Sequence, residues 1–311
     1  MQTSKITYNQ VIRVGCGIDV HQNLIVATIR KSNEEYETRS FEGYTSSLAE
    51  LSEWCKTEGV THVAMESTGV YWKPVFNILE EAFEIILVNA RHVKNVPGHK
   101  TDKKDSIWLS KLLLSGLLKG SFIPPQEIRD LRDLVRYKKK IVQEVASEKS
   151  RIIKILEDAN IKLSSVLSNV DGAVGTRIIN DIIEGKTEVA GLMQHYHGKI
   201  KTGTEEFARA LRGRITKHHR FMLRTIQQSV LSKEAIITTI EKQIDEDVEK
   251  YEVILKNLQT IDGVGRDSAI TIISEVGVDM SVFPNEQHVS SWAGMSPGNN
   301  ESGGKKKVQE P

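Results

Sequence analysis

The residues best able to do chemistry are four carboxylates that could meet at one metal site, namely Asp19, Glu66, Asp102 and Asp105. Asp19 and Glu66 each follow a short apolar stretch, so we expect both at the carboxyl ends of strands. Asp102 and Asp105 are three positions apart and are expected on one face at the start of a helix. Clustered carboxylates raise one another's pKa unless a cation neutralises them. The set therefore predicts a site for Mg²⁺, which prefers oxygen ligands and phosphate substrates.

The surroundings of this acidic set are basic. Residues 91–140 contain thirteen Lys/Arg against five Asp/Glu, a local excess of eight positive charges in a chain whose net charge is only +1. A basic surface beside an acidic metal site suits an enzyme that acts on phosphodiesters, because it attracts a backbone that the carboxylates would repel. The alternative is an ordinary solvated helix face.

Composition bounds the class of protein. The chain has 311 residues, 39% hydrophobic and 27% charged, so two or three globular domains are expected. No apolar run approaches the ~20 residues that a membrane helix needs, and no secretory signal opens the chain. Two cysteines, Cys16 and Cys55, have neither metal-ligand spacing nor disulfide density, which fits a reducing cytoplasm and predicts that both are buried.

The first part of the chain is typical of an α/β domain with the order β-β-β-α-β-α-β-α. The apolar and polar periodicities predict strands at 11–20, 24–30, 37–41, 61–65 and 84–88, helices at 46–58 and 70–82, and a last helix opened by Asp102 and Asp105.

Beyond Pro124 and Pro125 the pattern becomes helical. Apolar residues recur at three- and four-residue intervals from Leu131 to Leu156, and a second helical stretch runs over about 218–258. A hairpin of long helices fits, packed on each other or on another subunit. Residues 161–215 show no clean period.

Two features near the end of the chain also suggest nucleic-acid chemistry. Residues 258–273 have the pattern of a helix-hairpin-helix, with Gly263 and Gly265 in a turn whose N–H groups can bind a phosphate, although a plain helical turn fits as well. Ser302 is followed by two glycines and three lysines, an accessible and electropositive segment that would otherwise be a disordered tail.

Five sequence blocks together resemble the Piv-related DEDD transposases of bacterial insertion sequences, which work with a bridge RNA. They occur in the same order and span nearly the whole chain: Gly17-Ile18-Asp19-Val20-His21, Glu66-Ser67-Thr68-Gly69-Val70-Tyr71-Trp72, His99-Lys100-Thr101-Asp102-Lys103-Lys104-Asp105, Ile261-Asp262-Gly263-Val264-Gly265 and Trp292-Ala293-Gly294-Met295-Ser296-Pro297.

The resemblance implies three domains: a RuvC-type RNase H-like catalytic domain at 1–125, a helical coiled-coil domain at 126–257 and a transposase domain at 258–311. By position, Asp19, Glu66, Asp102 and Asp105 match the catalytic and metal-binding DEDD residues, and Ser302 matches the nucleophilic serine. It further implies two Mg²⁺ ions per site, with Mn²⁺ as a substitute, donor and target DNA, a bridge RNA, and a homo-oligomer (dimer or tetramer). The setting is the bacterial cytoplasm, at the nucleoid.

One departure leaves alternatives open. The chain ends nine residues after Ser302, where similar proteins continue, so the transposase domain is expected to be incomplete. The alternatives are a RuvC-like nuclease or junction resolvase in which water attacks and Ser302 is only tail, or an inactive truncated copy that binds nucleic acid. His21 is expected to be a turn residue and Tyr71 and Trp72 core residues. No site is assigned to His195, His197, His218 and His219.

Overall fold

A computed structural model describes residues 10–67, 69–89 and 105–294 in full, together with the backbone of 301–302 and 305–306. The chain divides into two compact units, residues 1–123 and 124–311. The three-domain division made from the sequence stays a prediction.

The first unit is built on one mixed sheet. Its strands lie in the order β3-β2-β1-β4-β5; β1 is parallel to β4 and β4 to β5, whereas β1-β2 and β2-β3 are antiparallel. This mixed sheet with flanking helices is consistent with the RNase H-like α/β domain predicted from the sequence. The elements are β1 (Gly15–Val20), β2 (Leu24–Arg30), β3 (Tyr36–Glu42), α1 (Thr45–Thr57), β4 (His62–Glu66), α2 (Trp72–Leu79), β5 (Glu84–Val88) and α3 (Asp105–Leu114).

Two predicted boundaries were too generous. The strand expected from Val11 begins at Gly15, because the N–H groups of Val11 and Ile12 bond to the carbonyl of Leu114 at 2.7 and 3.1 Å rather than to a neighbouring strand. The helix expected over 70–82 spans Trp72–Leu79. Periodicity alone extends elements into flanking apolar residues whose hydrogen bonds go elsewhere.

One face of the sheet carries the main apolar core of this unit. Alternate residues of β1 point into it, with Ile18 fully buried, and α1 and α2 cover it through Leu51 and Leu79. Each such side chain contributes about 1.5–3 kcal/mol on burial. The two cysteines also lie here, both buried as predicted, and burial together with the Cys55 thiol raises the pKa of Cys16.

The second unit is helical. Its two long helices, α4 (Gln126–Asp158) and a later helix at Lys217–Val248, run antiparallel, because Lys138 contacts Glu241 at 2.9 Å while Lys149 contacts Glu234 at 3.2 Å. Their facing apolar residues include Ile141 and Ile240. The long-helix hairpin expected from the sequence is present, whereas supercoiling of the pair stays a prediction.

The region between the long helices, which showed no period, is a cluster of short helices. They are α5 (Leu163–Val166), α6 (Ala173–Glu184), α7 (Val189–Leu192) and α8 (Thr204–Ala210), followed by the second long helix, α9 (Lys217–Val248). Phe207, Ile178 and Ile182 are buried in their shared core. Most of these helices are too short to display a repeat, so their periodicity could not be recognised in the sequence.

The remainder of the second unit follows α9 and packs on α4 through residues 269–273. It contains α10 (Glu252–Leu258), α11 (Arg266–Val276) and α12 (Glu286–Trp292), with short strands β6 (Glu301–Ser302) and β7 (Lys305–Lys306). Ala269, Ile270 and Ile273 of α11 share a core with Ile128 and Leu131 of α4. In the described parts of the chain, every helix is too short or too polar to span a bilayer.

Candidate active site

Two of the predicted carboxylates stand side by side on the central strands. The parallel pairing of β1 and β4 ends with Ile18 opposite Met65. The next residues on the two strands are Asp19 and Glu66. Paired residues of neighbouring strands point to the same face. These two carboxylates therefore project from the same face, at the carboxyl ends of β1 and β4, and away from the main apolar core.

Glycines bring α3 directly onto this face. Gly15 and Gly17 share a face of β1 with Asp19, and a methyl group at Gly17 would overlap backbone atoms of Ser106 and Ser110 in α3. Only glycine therefore permits this approach of helix to strand.

The same contacts fix the direction of α3. Gly15 lies against Leu113 and Leu114 at the end of the helix, whereas Gly17 lies against Ser106 and Ser110 nearer its start. The helix thus runs antiparallel to β1. Its first residue, Asp105, therefore lies towards the carboxyl end of β1, where Asp19 follows Gly15 and Gly17 on the same face.

Buried polar contacts lock α3 in this position. The hydroxyl of Thr28 on β2 lies 2.8 Å from that of Ser106, and Arg30 Nε donates to Ser110 Oγ at 3.1 Å. Arg30 is 3% exposed and its guanidinium also stacks 4.4 Å from the ring of Tyr36. Burial lowers the pKa of Arg30 from its usual value. These contacts add to the apolar packing of Leu109 and Leu112 of α3 against Val88, and the helix cannot shift along the sheet without breaking them.

The carboxylates are largely withdrawn from solvent. Oε1 of Glu66 and Oδ1 of Asp105 are buried, and the Asp19 side chain is 20% exposed. His21, in the turn after β1, places Nε2 3.2 Å from Asp19 Oδ2. Asp105 begins α3, where the positive end of the helix dipole stabilises its negative charge.

The donor set fits a hard divalent cation by its chemistry. Asp19, Glu66 and Asp105 offer only carboxylate oxygens, which Mg²⁺ and Mn²⁺ prefer, and their gathering at one edge favours a neutralising ion. Within the described residues, no group of three potential ligands is close enough to hold an ion by itself. Asp102, the fourth predicted member, lies outside the described residues.

Ser302 belongs to the other unit. Its backbone forms β6, which pairs antiparallel with β7, Ser302 opposite Lys305 and Glu301 opposite Lys306. The predicted roles of Ser302 and of the four carboxylates stay predictions.

The predicted glycine-rich turn joins α10 to α11. Gly263 has a φ of +84°, a conformation that favours glycine, whereas Gly265, the residue before α11, has a φ of −79°. The helix-hairpin-helix stays a prediction. Arg266, the first helical residue, donates to Glu252 at 2.9 Å and to Asp245 at 3.1 Å. The basic side chain closest to the turn is therefore already neutralised.

The residues that hold α3 against β1 and β2 were not predicted from the sequence. Gly15, Gly17, Thr28, Arg30, Ser106 and Ser110 were not singled out. Two signals were available: glycines alternating through a strand indicate a close backbone approach, and two serines four residues apart mark a small, polar helix face.

Two of the histidines to which no site was assigned have local carboxylate partners. His195 Nε2 lies 2.6 Å from Asp181 Oδ2 and His219 Nε2 lies 2.8 Å from Asp158 Oδ2. His21 is a turn residue, as expected, although it touches the site.

Two family models match the chain. A DEDD transposase model named for IS110 matches residues 16–161, and the model of the IS116/IS110/IS902 transposase family matches residues 255–310. The first match contains all four predicted carboxylates and the second contains the glycine turn and Ser302. A search of curated proteins returned no match.

Proposed function

Because the chain belongs to the IS116/IS110/IS902 family of transposases, we propose that it cleaves and rejoins DNA by Mg²⁺-dependent phosphoryl transfer with Ser302 as the nucleophile. One observation carries the proposal. Asp19 and Glu66 leave adjacent strands on the face where α3 begins with Asp105.

The carboxylates have the role of holding metal. Asp19, Glu66 and Asp105, completed by Asp102, would bind two Mg²⁺ ions, with Mn²⁺ as a substitute. Bound divalent ions supply charge neutralisation at the attacking and leaving oxygens of an in-line displacement. His21 orients Asp19 through its 3.2 Å contact. Burial of the Glu66 and Asp105 oxygens keeps water from competing for these charges.

Ser302 has the role of conserving the energy of the broken bond. Its Oγ forms a bond to phosphorus while the bond from phosphorus to the 3′ oxygen breaks, and the proton lost by the serine balances the proton gained by the 3′ oxygen. The phosphoserine ester can then be attacked by another 3′-hydroxyl, so cutting becomes joining without ATP. Gly303 and Gly304 would allow the DNA backbone to approach closely.

The partners follow from the family resemblance. We propose that a bridge RNA specifies donor and target DNA, and that a dimer or tetramer acts on them in the bacterial cytoplasm. The long helices α4 and α9 would form the coiled coil, and the turn at Gly263 would act as a helix-hairpin-helix.

A covalent trap tests the proposal. Protein, RNA and end-labelled DNA are incubated with Mg²⁺, and an SDS-stable protein–DNA adduct is expected for the parent chain. Ser302→Ala should abolish the adduct, whereas removal of another exposed serine of the same unit, by Ser164→Ala, should leave it unchanged. Asp19→Asn should abolish both adduct and cleavage, and EDTA should do the same.

Each of the other outcomes would indicate a different function. Cleavage that persists in Ser302→Ala without any adduct would mean that water attacks, as in a junction resolvase. Binding without Mg²⁺-dependent cleavage would mean that the chain only binds nucleic acid. Either result contradicts the proposed function.

A further inference from the structure

A second cationic surface lies far along the chain from the predicted basic stretch. Residues 209–224, which we name the basic segment, contain six Lys/Arg, two His and no Asp or Glu. Neither family model reaches it, because one match ends at residue 161 and the other begins at 255. The known transposase regions therefore do not account for it.

The backbone of the basic segment is firmly held. It runs from the end of α8 through a loop into the first turns of α9, and the loop is pinned to the end of α4. Arg214 N donates to Ala159 O at 2.8 Å and Lys162 N donates to Ala210 O at 2.8 Å. Thr216 then caps α9 by accepting from His219 N at 3.2 Å.

The side chains of the segment form one exposed stripe. Lys217, Phe221 and Arg224 are spaced i, i+4 and i+7 on α9, so they share a face, and all three are exposed. Phe221 is 63% exposed, which is unusual for an aromatic ring in a helix interior. Arg212 and Arg214 are exposed in the loop just before it.

These cations lack carboxylate partners. Within the part of the chain that the structure describes, none of the six Lys/Arg side chains makes an ion pair; the carboxylate of Asp158 contacts the segment through His219. Several cations elsewhere in the unit are paired with carboxylates. Arg136 binds both oxygens of Glu275 at 2.8 Å, for example, and Lys149 contacts Asp171 at 2.9 Å.

The placement of the charges costs stability. The first turn of α9 has no acidic residue but contains Lys217 and His218, at the positive end of the helix dipole. A cation there is unfavourable by about 0.3–1 kcal/mol at low salt. A bound polyanion would relieve both this repulsion and the mutual repulsion of the six cations.

We propose that the basic segment binds a phosphodiester backbone and that Phe221 stacks on an unpaired base of the same strand. Cations flanking an exposed aromatic ring are the combination that binds single strands and loops, since the cations track phosphates and the ring accepts any base. DNA and RNA share this chemistry. The inference does not depend on the catalytic proposal.

Binding measurements without metal test the surface separately from catalysis. The full chain is titrated in EDTA against a fluorescent DNA single strand, a DNA duplex and an RNA hairpin with an unpaired loop, over a salt series. Arg214→Gln/Lys217→Gln should reduce the magnitude of the slope of log K against log salt by about 1.4 on single strands and 1.8 on duplex. Phe221→Ala should weaken binding of the single strand or the loop by about 5- to 150-fold and duplex binding less.

Matched variants decide the result. Lys242→Gln/Lys256→Gln removes two exposed charges from the same unit and should leave the slope unchanged, while Arg214→Lys/Lys217→Arg should behave like the parent. Thermal unfolding checks that each variant is folded. Loss confined to DNA or to RNA identifies the strand that binds. If the Gln variant at 214 and 217 matches the control pair in affinity and slope on every probe, the proposal is wrong, whatever the catalytic assays show.

Discussion

The two faces of the sheet use the same strands for different purposes. On β1, Cys16, Ile18 and Val20 enter a core covered by α1 and α2, whereas Gly15, Gly17 and Asp19 face α3. The first face is held by apolar volume. The second also has apolar contacts with α3, but it adds glycines that let the helix approach, buried hydroxyls and a guanidinium, and it ends in carboxylates. Substitutions in the apolar core of the first face should therefore change stability alone, whereas substitutions that displace α3 should change stability and chemistry together.

The largest effect is expected at Gly17. Valine there would overlap the backbone of Ser106 and Ser110, so α3 itself must move, and we expect Gly17→Val to lower the free energy of unfolding by more than about 4 kcal/mol and to eliminate cleavage. Gly120→Ala is the control, because a methyl group there meets Ile86 Cγ2 at an ordinary 3.5 Å. Urea denaturation measures both. A Gly17→Val protein as stable as the control would contradict the described packing of α3 on β1.

On the opposite face, Met65→Ala should affect stability alone. Met65 is fully buried, and its truncation should lower the free energy of unfolding by about 2–5 kcal/mol. Cleavage per folded molecule should persist well below the unfolding midpoint, although Met65 precedes Glu66 in sequence. Denaturation and single-turnover cleavage at matched folded fractions check this. A loss of cleavage in fully folded Met65→Ala protein would show that the faces are not independent.

A smaller effect is expected at Thr28, whose hydroxyl contacts both Ser106 of α3 and Thr38 of β3. Thr28→Val keeps the shape but removes the 2.8 Å contact with Ser106 in the interior, which should lower the free energy of unfolding by about 1–3 kcal/mol. Thr38→Val removes only the 2.9 Å contact with Thr28 at an exposed position and should cost less. Equal losses in the two variants would mean that the buried contact does not seat α3.

The smallest effect on folding is expected at His21. The side chain is exposed, so His21→Ala should change the free energy of unfolding by less than about 0.5 kcal/mol. If it orients Asp19, the Mg²⁺ concentration for half-maximal cleavage should rise by about tenfold. His21→Asn, which can still donate to Asp19, should restore part of the difference. An unchanged Mg²⁺ requirement would mean that His21 does not orient Asp19 for metal binding.

The sequence predicted the elements of the sheet unit because their signals are local. Asp19 and Glu66 each follow apolar residues that read as strand, and the order of elements came out correctly. The sequence did not predict the contact between β1 and α3. This contact depends on Gly17 and Ser106, which are far apart in sequence. A glycine carries no attractive signal of its own, and its importance appears only when a helix lies against it.

In the helical unit the limits were different. The long helices were predictable from their repeats, but the short helices between them were not, because elements such as α5 and α7 span only four residues each. The charge of the basic segment was readable from the sequence. Its lack of carboxylate partners was not, since Arg136 and Arg214 look alike until Glu275 is seen beside the first and not beside the second.

The two buried cysteines give the chain a built-in reporter of unfolding. Cys16 on β1 and Cys55 on α1 are both fully inaccessible, and the raised pKa of Cys16 further depletes the thiolate that reacts with alkylating reagents. Modification should therefore be blocked in the native state and should follow the rate at which the apolar face opens. A maleimide dye attached to a cysteine newly placed on the surface would consequently label that position alone, without removal of either native thiol.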